Sequence, residues 1–217
     1  MKISKRLENE YYFQKISSLG DFYSLNICFN VDDFKSELMS CSPDWQPYNS
    51  NKSWSHRYAI SLFSIDGSSD GRMALNSIRE WNIENNTNYS ELDFNIQTKY
   101  WKNLTSLSDK FSRISDSICR SHLLRLDEGG IFPPHRDSYG RDESTFRLIS
   151  FFECGPDTLH LTVDNRLVQF IPNRCYFLNT RKIHSVVSFA PNSYIMVLNI
   201  RLSNESVGFV LKNLSEP

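Results

Sequence analysis

The segment His135-Arg136-Asp137 carries the side chains best suited to chemistry in this sequence. In extended backbone, residues i and i+2 project to one face, so the His135 imidazole and the Asp137 carboxylate can converge on a single ion. Two ligands do not make a site, but His184 lies 47 positions after Asp137, at the head of the apolar run Ser185–Phe189. Two imidazoles and one carboxylate on a triangular face leave positions open on iron(II) for a cosubstrate and O2. Zinc favours closed tetrahedral or His-rich sites, so this donor set points to iron. The other histidines, His56, His122 and His160, read as hydrogen-bonded structural residues, and Asp127-Glu128 reads as a solvated turn.

These residues need rigid elements to hold them. From Ser106 to Arg120 the apolar positions Leu107, Phe111, Ile114 and Ile118 recur at helical spacing, which predicts an amphipathic helix. After it the period becomes strand-like. Short strands are expected at 121–126, 145–152, 158–163, 167–171, 174–178, 184–189, 194–202 and 207–211, the dense spacing of a sandwich or barrel. Upstream, Arg57–Ile65 is the clearest strand, stopped by the turn dipeptide Asp66-Gly67. Trp81, Tyr89, Tyr100 and Trp101 either line a pocket or cover one side of the core, and the second reading is favoured. The expectation is a mainly β, α+β chain with N-terminal helices and extra strands: one domain over 1–217, an N-terminal elaboration with packing helices over 1–120, and a β-barrel core over 121–211.

Composition narrows the partners. At 217 residues and 40% hydrophobic, the chain is long enough to bury one sizeable core. A net charge of -1 gives no basic footprint for nucleic acid or a membrane surface. No stretch approaches the roughly 18 apolar residues of a membrane span. The five cysteines are widely spaced without a CxxC pair, which suggests neither a disulfide framework nor a zinc knuckle, and a cytoplasmic protein is expected.

The stretch Leu124–Asp137, with Gly129-Gly130 ahead of the His-x-Asp, resembles the first metal-binding strand of 2-oxoglutarate-dependent oxygenases. The closest likeness is to the aspartyl/asparaginyl β-hydroxylase branch that includes proline cis-hydroxylases. Phe146-Arg147-Leu-Ile-Ser150 is similar to that branch's Arg-containing strand, and Cys175–Val186 resembles its second metal strand, with Asn179 ahead of the distal His184. The resemblance spans about residues 121–202. It implies a double-stranded β-helix of the jelly-roll or cupin type. It also implies an Fe(II) enzyme that consumes 2-oxoglutarate and O2, releases succinate and CO2, and hydroxylates its substrate. A carboxylate at Asp137, where related halogenases have a small residue, disfavours halogenation.

A cation is needed for the distal carboxylate of 2-oxoglutarate, and a bidentate arginine fits best. The commonest pattern of the family puts it about ten residues after the distal His, but that position is Tyr194. Arg147 is the first alternative, with an ion pair to Asp142 or Glu143 as its competing structural role. Tyr194 is a hydroxyl donor to the same carboxylate, and Arg201, facing opposite to Tyr194 by strand period, is a weaker candidate. Substrate contacts are expected from Arg57, Trp54 and Tyr139, and from Asn179 unless it caps a turn. The expected substrate is a small polar molecule such as a free amino acid or an amino-acid-derived intermediate. A peptide or protein side chain is the alternative, as is a non-catalytic cupin-like binder of metal or ligand.

Overall fold

A computed structural model describes residues 4–49, 56–69, 77–137 and 144–215. Two antiparallel sheets face each other. The larger contains β1 (Phe22–Cys28), β2 (Gln46–Pro47), β3 (Arg57–Ser61), β6 (His122–Leu126), β8 (Thr145–Phe152), β11 (Arg174–Leu178) and β13 (Ser193–Arg201), in the order β1-β11-β8-β13-β6-β3-β2. The smaller contains β7 (Ile131–His135), β9 (Leu159–Val163), β10 (Arg166–Val168) and β12 (His184–Ser188), in the order β10-β9-β12-β7. A two-residue pair, β4 (Phe63–Ser64) with β5 (Ile96–Gln97), stands apart. Of the eight strands β6 to β13, the larger sheet takes β6, β8, β11 and β13 and the smaller takes β7, β9, β10 and β12, so the chain crosses between sheets at every connection except the β9–β10 hairpin, the arrangement of a double-stranded β-helix.

Side-chain alternation divides the core in two. Ile149 and Phe151 of β8 turn inward against Leu161, Val163 and Val186 of the smaller sheet and fill the barrel. Leu148 and Phe152 turn outward onto a layer that includes Phe13, Phe34, Trp101, Phe111 and Val210. That layer is built from helix α1 (Lys5–Ser17), α2 (Val31–Ser40), the helical stretch 99–117 and α6 (Asn204–Lys212). Between α2 and that stretch lies α3 (Ile78–Asn85), none of whose residues is buried. Tyr100 and Trp101 are 1% and 2% exposed, so they serve the core, not a pocket. No helix among the described residues is long and apolar enough to cross a membrane.

The structure corrects several sequence expectations. Residues 207–211 are helical: a capping box between Ser203 and Ser206 starts α6, and Val207 and Val210 are buried three apart, a helical spacing that a short apolar run hides. The expected helix 106–120 is an α-turn, α5 (Thr105–Ser108), after α4 (Lys99–Asn103), followed by 3-10 helix over Asp109–Ser117 with non-helical backbone at Ile114. Its four apolar positions are nevertheless buried. Serine hydroxyls compete for the backbone there, as when Ser112 donates to the Asp109 carbonyl at 2.9 Å. Arg57–Ile65 breaks after Ser61, and Asp66-Gly67 forms the turn, with Asp66 accepting from the Ser68 amide at 2.9 Å. The extra strands expected beside the N-terminal helices are present: β1 extends one edge of the large sheet, and β3 and β2 extend the other.

Candidate metal centre

His135 ends β7 and His184 begins β12, and the two residues are paired across the smaller sheet. Between His184 and Val186 the register shifts: Val186 pairs with Phe132, so β7 places two residues where β12 places only Ser185. This bulge falls at Pro133-Pro134. Without it, Phe132 and His135, an odd number of residues apart, would face opposite sides. With it, His135 meets His184 with ring centroids 4.3 Å apart. Asp137 follows past the strand end, held by its amide donating to the Thr180 carbonyl at 3.0 Å.

The three candidate side chains come together. His135 Nε2 lies 3.5 Å from Asp137 Oδ1, and His184 Nε2 lies 3.7 Å from Oδ2. One ligand atom from each residue falls within 4.8 Å of the others, the one such His/Cys/Asp/Glu group found among the described residues. Each ring's other nitrogen faces a backbone carbonyl: His135 Nδ1 at 2.7 Å from Pro133 O, and His184 Nδ1 at 3.0 Å from Lys182 O. A carbonyl only accepts, so both Nδ1 atoms carry hydrogen, and each neutral ring aims the lone pair of Nε2 at the carboxylate. Lone pairs from two rings and an anion facing one small space are mutually repulsive unless a cation fills it. The donor set therefore fits a divalent metal.

In the metal-free protein, protons and Arg147 supply the missing positive charge. Arg147 Nη1 forms a close ion pair with Asp137 Oδ2. Burial pushes the Asp137 carboxyl up, but the Arg147 charge, the His135 hydrogen bond and both rings together hold it far below the usual carboxylate range. Burial also disfavours charge on His135, yet Asp137 outweighs it and raises that ring's pKa; at His184 burial wins and lowers it.

Arg147 therefore braces Asp137, an ion pair different from the one with Asp142 or Glu143 weighed from the sequence; both of those acids lie outside the described residues. The carboxyl's folded value is depressed, so its stabilisation is present above the unfolded value of 3.8 and is lost as pH falls below it. Arg147→Met is expected to cost metal-free protein about 2 kcal/mol at neutral pH, with the deficit shrinking toward pH 3. Denaturant titrations in chelator across that range measure it; a deficit independent of pH would disconnect Arg147 from Asp137.

The remaining sequence candidates separate by face. Tyr194 points away from the barrel interior, 5.7 Å from the Trp45 ring and 6.0 Å from Phe34, so the structure does not bring it to the metal site. Period two sets Tyr194 and Arg201 on opposite faces but does not say which face is inside. Arg201 shares the inward face with Asn199, and Asn199 pairs with Arg147 across the sheet. Asn179 caps a turn: its Nδ2 donates to Asp21 at 2.6 Å and its Oδ1 accepts from the Arg181 amide at 3.2 Å, leaving its amide engaged in the loop. Arg57 is buried on the inward face of β3. Tyr139, Trp54 and most of the 138–144 loop lie outside the described residues.

Sequence reasoning missed a polar group beside Arg147. Asn199 Nδ2 donates to Glu91 at 2.7 Å and to the Arg120 carbonyl at 2.8 Å, while Arg120 pairs with Glu91 at 3.3 Å. An Asn in the apolar run Ile195–Ile200 is its only local signal.

No protein-family model matches the sequence, and no curated protein matches it. Solved structures do share the fold. An oxidoreductase of the 2OG-Fe(II) oxygenase family from Burkholderia pseudomallei is 8% identical, with 94% of this chain and 95% of that chain covered at a TM-score of 0.50. A prolyl hydroxylase from Trichoplax adhaerens, solved with a hypoxia inducible factor peptide fragment, is 12% identical, with coverage of 93% and 94% and a TM-score of 0.48. KdgF from Halomonas sp. is 8% identical over 76% of this chain and 93% of its own, with a TM-score of 0.38. At such identities the likeness is one of fold: this chain is a double-stranded β-helix with flanking helices.

Proposed function

We propose that this protein is an Fe(II)- and 2-oxoglutarate-dependent dioxygenase that hydroxylates a small polar substrate such as an amino acid or a derivative of one. The observation that carries the reading is the cluster of Nε2 and carboxylate lone pairs at one end of the barrel, with both rings locked from behind by carbonyls. His135, Asp137 and His184 are the residues that would hold iron, and a face of two imidazoles and one carboxylate leaves positions for cosubstrate and O2. Iron with 2-oxoglutarate supplies oxidation of a substrate C–H bond, coupled to loss of CO2 and formation of succinate.

The chain's own residues orient and insulate. Arg147 fixes the Asp137 carboxylate, the Thr180 carbonyl fixes the Asp137 backbone amide, and the ring tethers fix both imidazoles before any metal arrives. His184 is 7% exposed at its side chain and His135 36%, so solvent and substrate approach from the His135 side. Behind the ligands, Val163, Leu178 and Val186 form a dry wall. The polar group Glu91, Arg120 and Asn199 in the row beside Arg147 suits a substrate bearing charged or hydrogen-bonding groups.

Anaerobic addition of Fe(II) and then 2-oxoglutarate is expected to produce a weak visible charge-transfer band, and admission of O2 is expected to release succinate. Absence of both, in protein shown to be folded, would overturn the assignment.

A further inference from the structure

A guanidinium inside a barrel is costly without an anion. Arg57 is 4% exposed, and its Nε and Nη2 are buried with no hydrogen-bond partner among the described residues. Its neighbours are aromatic: Cζ lies 4.7 Å from the Phe132 ring centroid, and the Tyr48 ring packs 5.5 Å from Phe132. A ring face offers a cation modest attraction but accepts no directed hydrogen bond, so Nε and Nη2 stay unused.

Its position relates it to the metal centre. Phe132 pairs with Val186, two residues along β12 from His184, so the guanidinium sits about one side-chain row, roughly 7 Å, below the metal row. Arg57 is also in register with Leu126, which is in register with Ser193. Ser193 is the buried neighbour of Tyr194, the position where an arginine is expected but absent. Arg57 therefore presents, from β3, a cation in the cross-strand row where β13 has none.

We infer that Arg57 is a carboxylate-binding residue inside the barrel, its unpartnered Nε and Nη2 taking an anion bidentately over Phe132, one row from the metal. Resting on the oxygenase reading, the carboxylate is the distal one of the 2-oxo acid cosubstrate. Arg57 would then make the enzyme selective for a dicarboxylic oxo acid. Burial also lowers the pKa of the Arg57 guanidinium, consistent with a charge awaiting a counter-ion.

The test is Arg57→Met, an apolar side chain of similar reach. Anaerobic titration of the Fe(II) protein, read by the charge-transfer band, is expected to show about 10²-fold weaker binding of 2-oxoglutarate. Binding of 2-oxobutanoate, which lacks the distal carboxylate, is expected to be unchanged. Without ligand, the variant should melt at or above the wild-type temperature, because it removes a buried unpaired charge. In metal-free protein, glutarate should raise the melting temperature of wild type but not of Arg57→Met. If oxo-acid binding is unaffected while the glutarate effect is lost, the subsite stands and serves a substrate carboxylate. If wild type gives no band with any oxo acid, the oxygenase reading fails and the glutarate arm alone judges Arg57. Equal responses of wild type and variant to 2-oxoglutarate and to glutarate would overturn the inference.

Discussion

Alanine at His184 or at His135 is expected to abolish iron retention and turnover while the barrel stays folded. Each ring supplies one of three donors, so its loss leaves two ligands. Removing only a supporting residue already costs a metal site 10- to 100-fold in affinity, and losing a ligand should cost more. The two variants differ in their structural cost. His184 is buried, so its truncation leaves a hole that His184→Gln would largely fill; His135 is the more exposed ring. Metal content by elemental analysis after desalting, beside thermal melting, separates loss of the site from loss of the fold. Iron retained at wild-type stoichiometry in either variant would refute the ligand assignment.

The second large effect concerns stability and falls on Gly130. The β6–β7 turn closes with the Gly130 amide donating to Asp127 O at 2.9 Å, and the Gly130 carbonyl accepts from the Ser188 amide. A Cβ at Gly130 would lie 2.6 Å from His56 O and 2.9 Å from Asp127 O, both backbone atoms that cannot swing aside. Gly130→Ala is expected to cost about 3 kcal/mol, roughly a 10 °C drop in melting temperature for a chain of this size. The neighbour makes the control: Gly129 has φ +80 with nothing within 4 Å of a Cβ, so Gly129→Ala carries only backbone strain, about 1 kcal/mol. A Gly130→Ala melting temperature within 2 or 3 °C of wild type, about 1 kcal/mol or less, would contradict the geometry.

What the sequence disclosed depended on the range of the signal. The His135 and Asp137 pair is legible because both lie within one extended segment, and the strands over 145–152 and 174–178 are legible from composition and length. β7 is legible through the family resemblance of Leu124–Asp137 and not through its own pattern, since Gly129-Gly130 and Pro133-Pro134 carry turn and breaker signals that the sheet overrides. Which face of β13 lines the barrel cannot be told from alternation, so the ten-residue spacing that singles out Tyr194 does not reveal that the strand turns it away from the barrel interior. The contacts of Arg147 with Asp137 and of Arg57 with Phe132 join residues from separate strands. They are products of sheet order and register, which no local pattern encodes.

The bulged strand that carries His135 is also an edge of its sheet among the described residues, pairing there with β12 alone. An edge with free amide groups is a template on which other chains can polymerise. Pro133 and Pro134 have no amide hydrogen to offer, and the bulge bends the strand away from a flat, extendable profile. The irregularity that brings His135 to His184 therefore also shields the open side of the barrel from edge-to-edge pairing, so one sequence feature answers both to the geometry of the candidate site and to protection of the sheet.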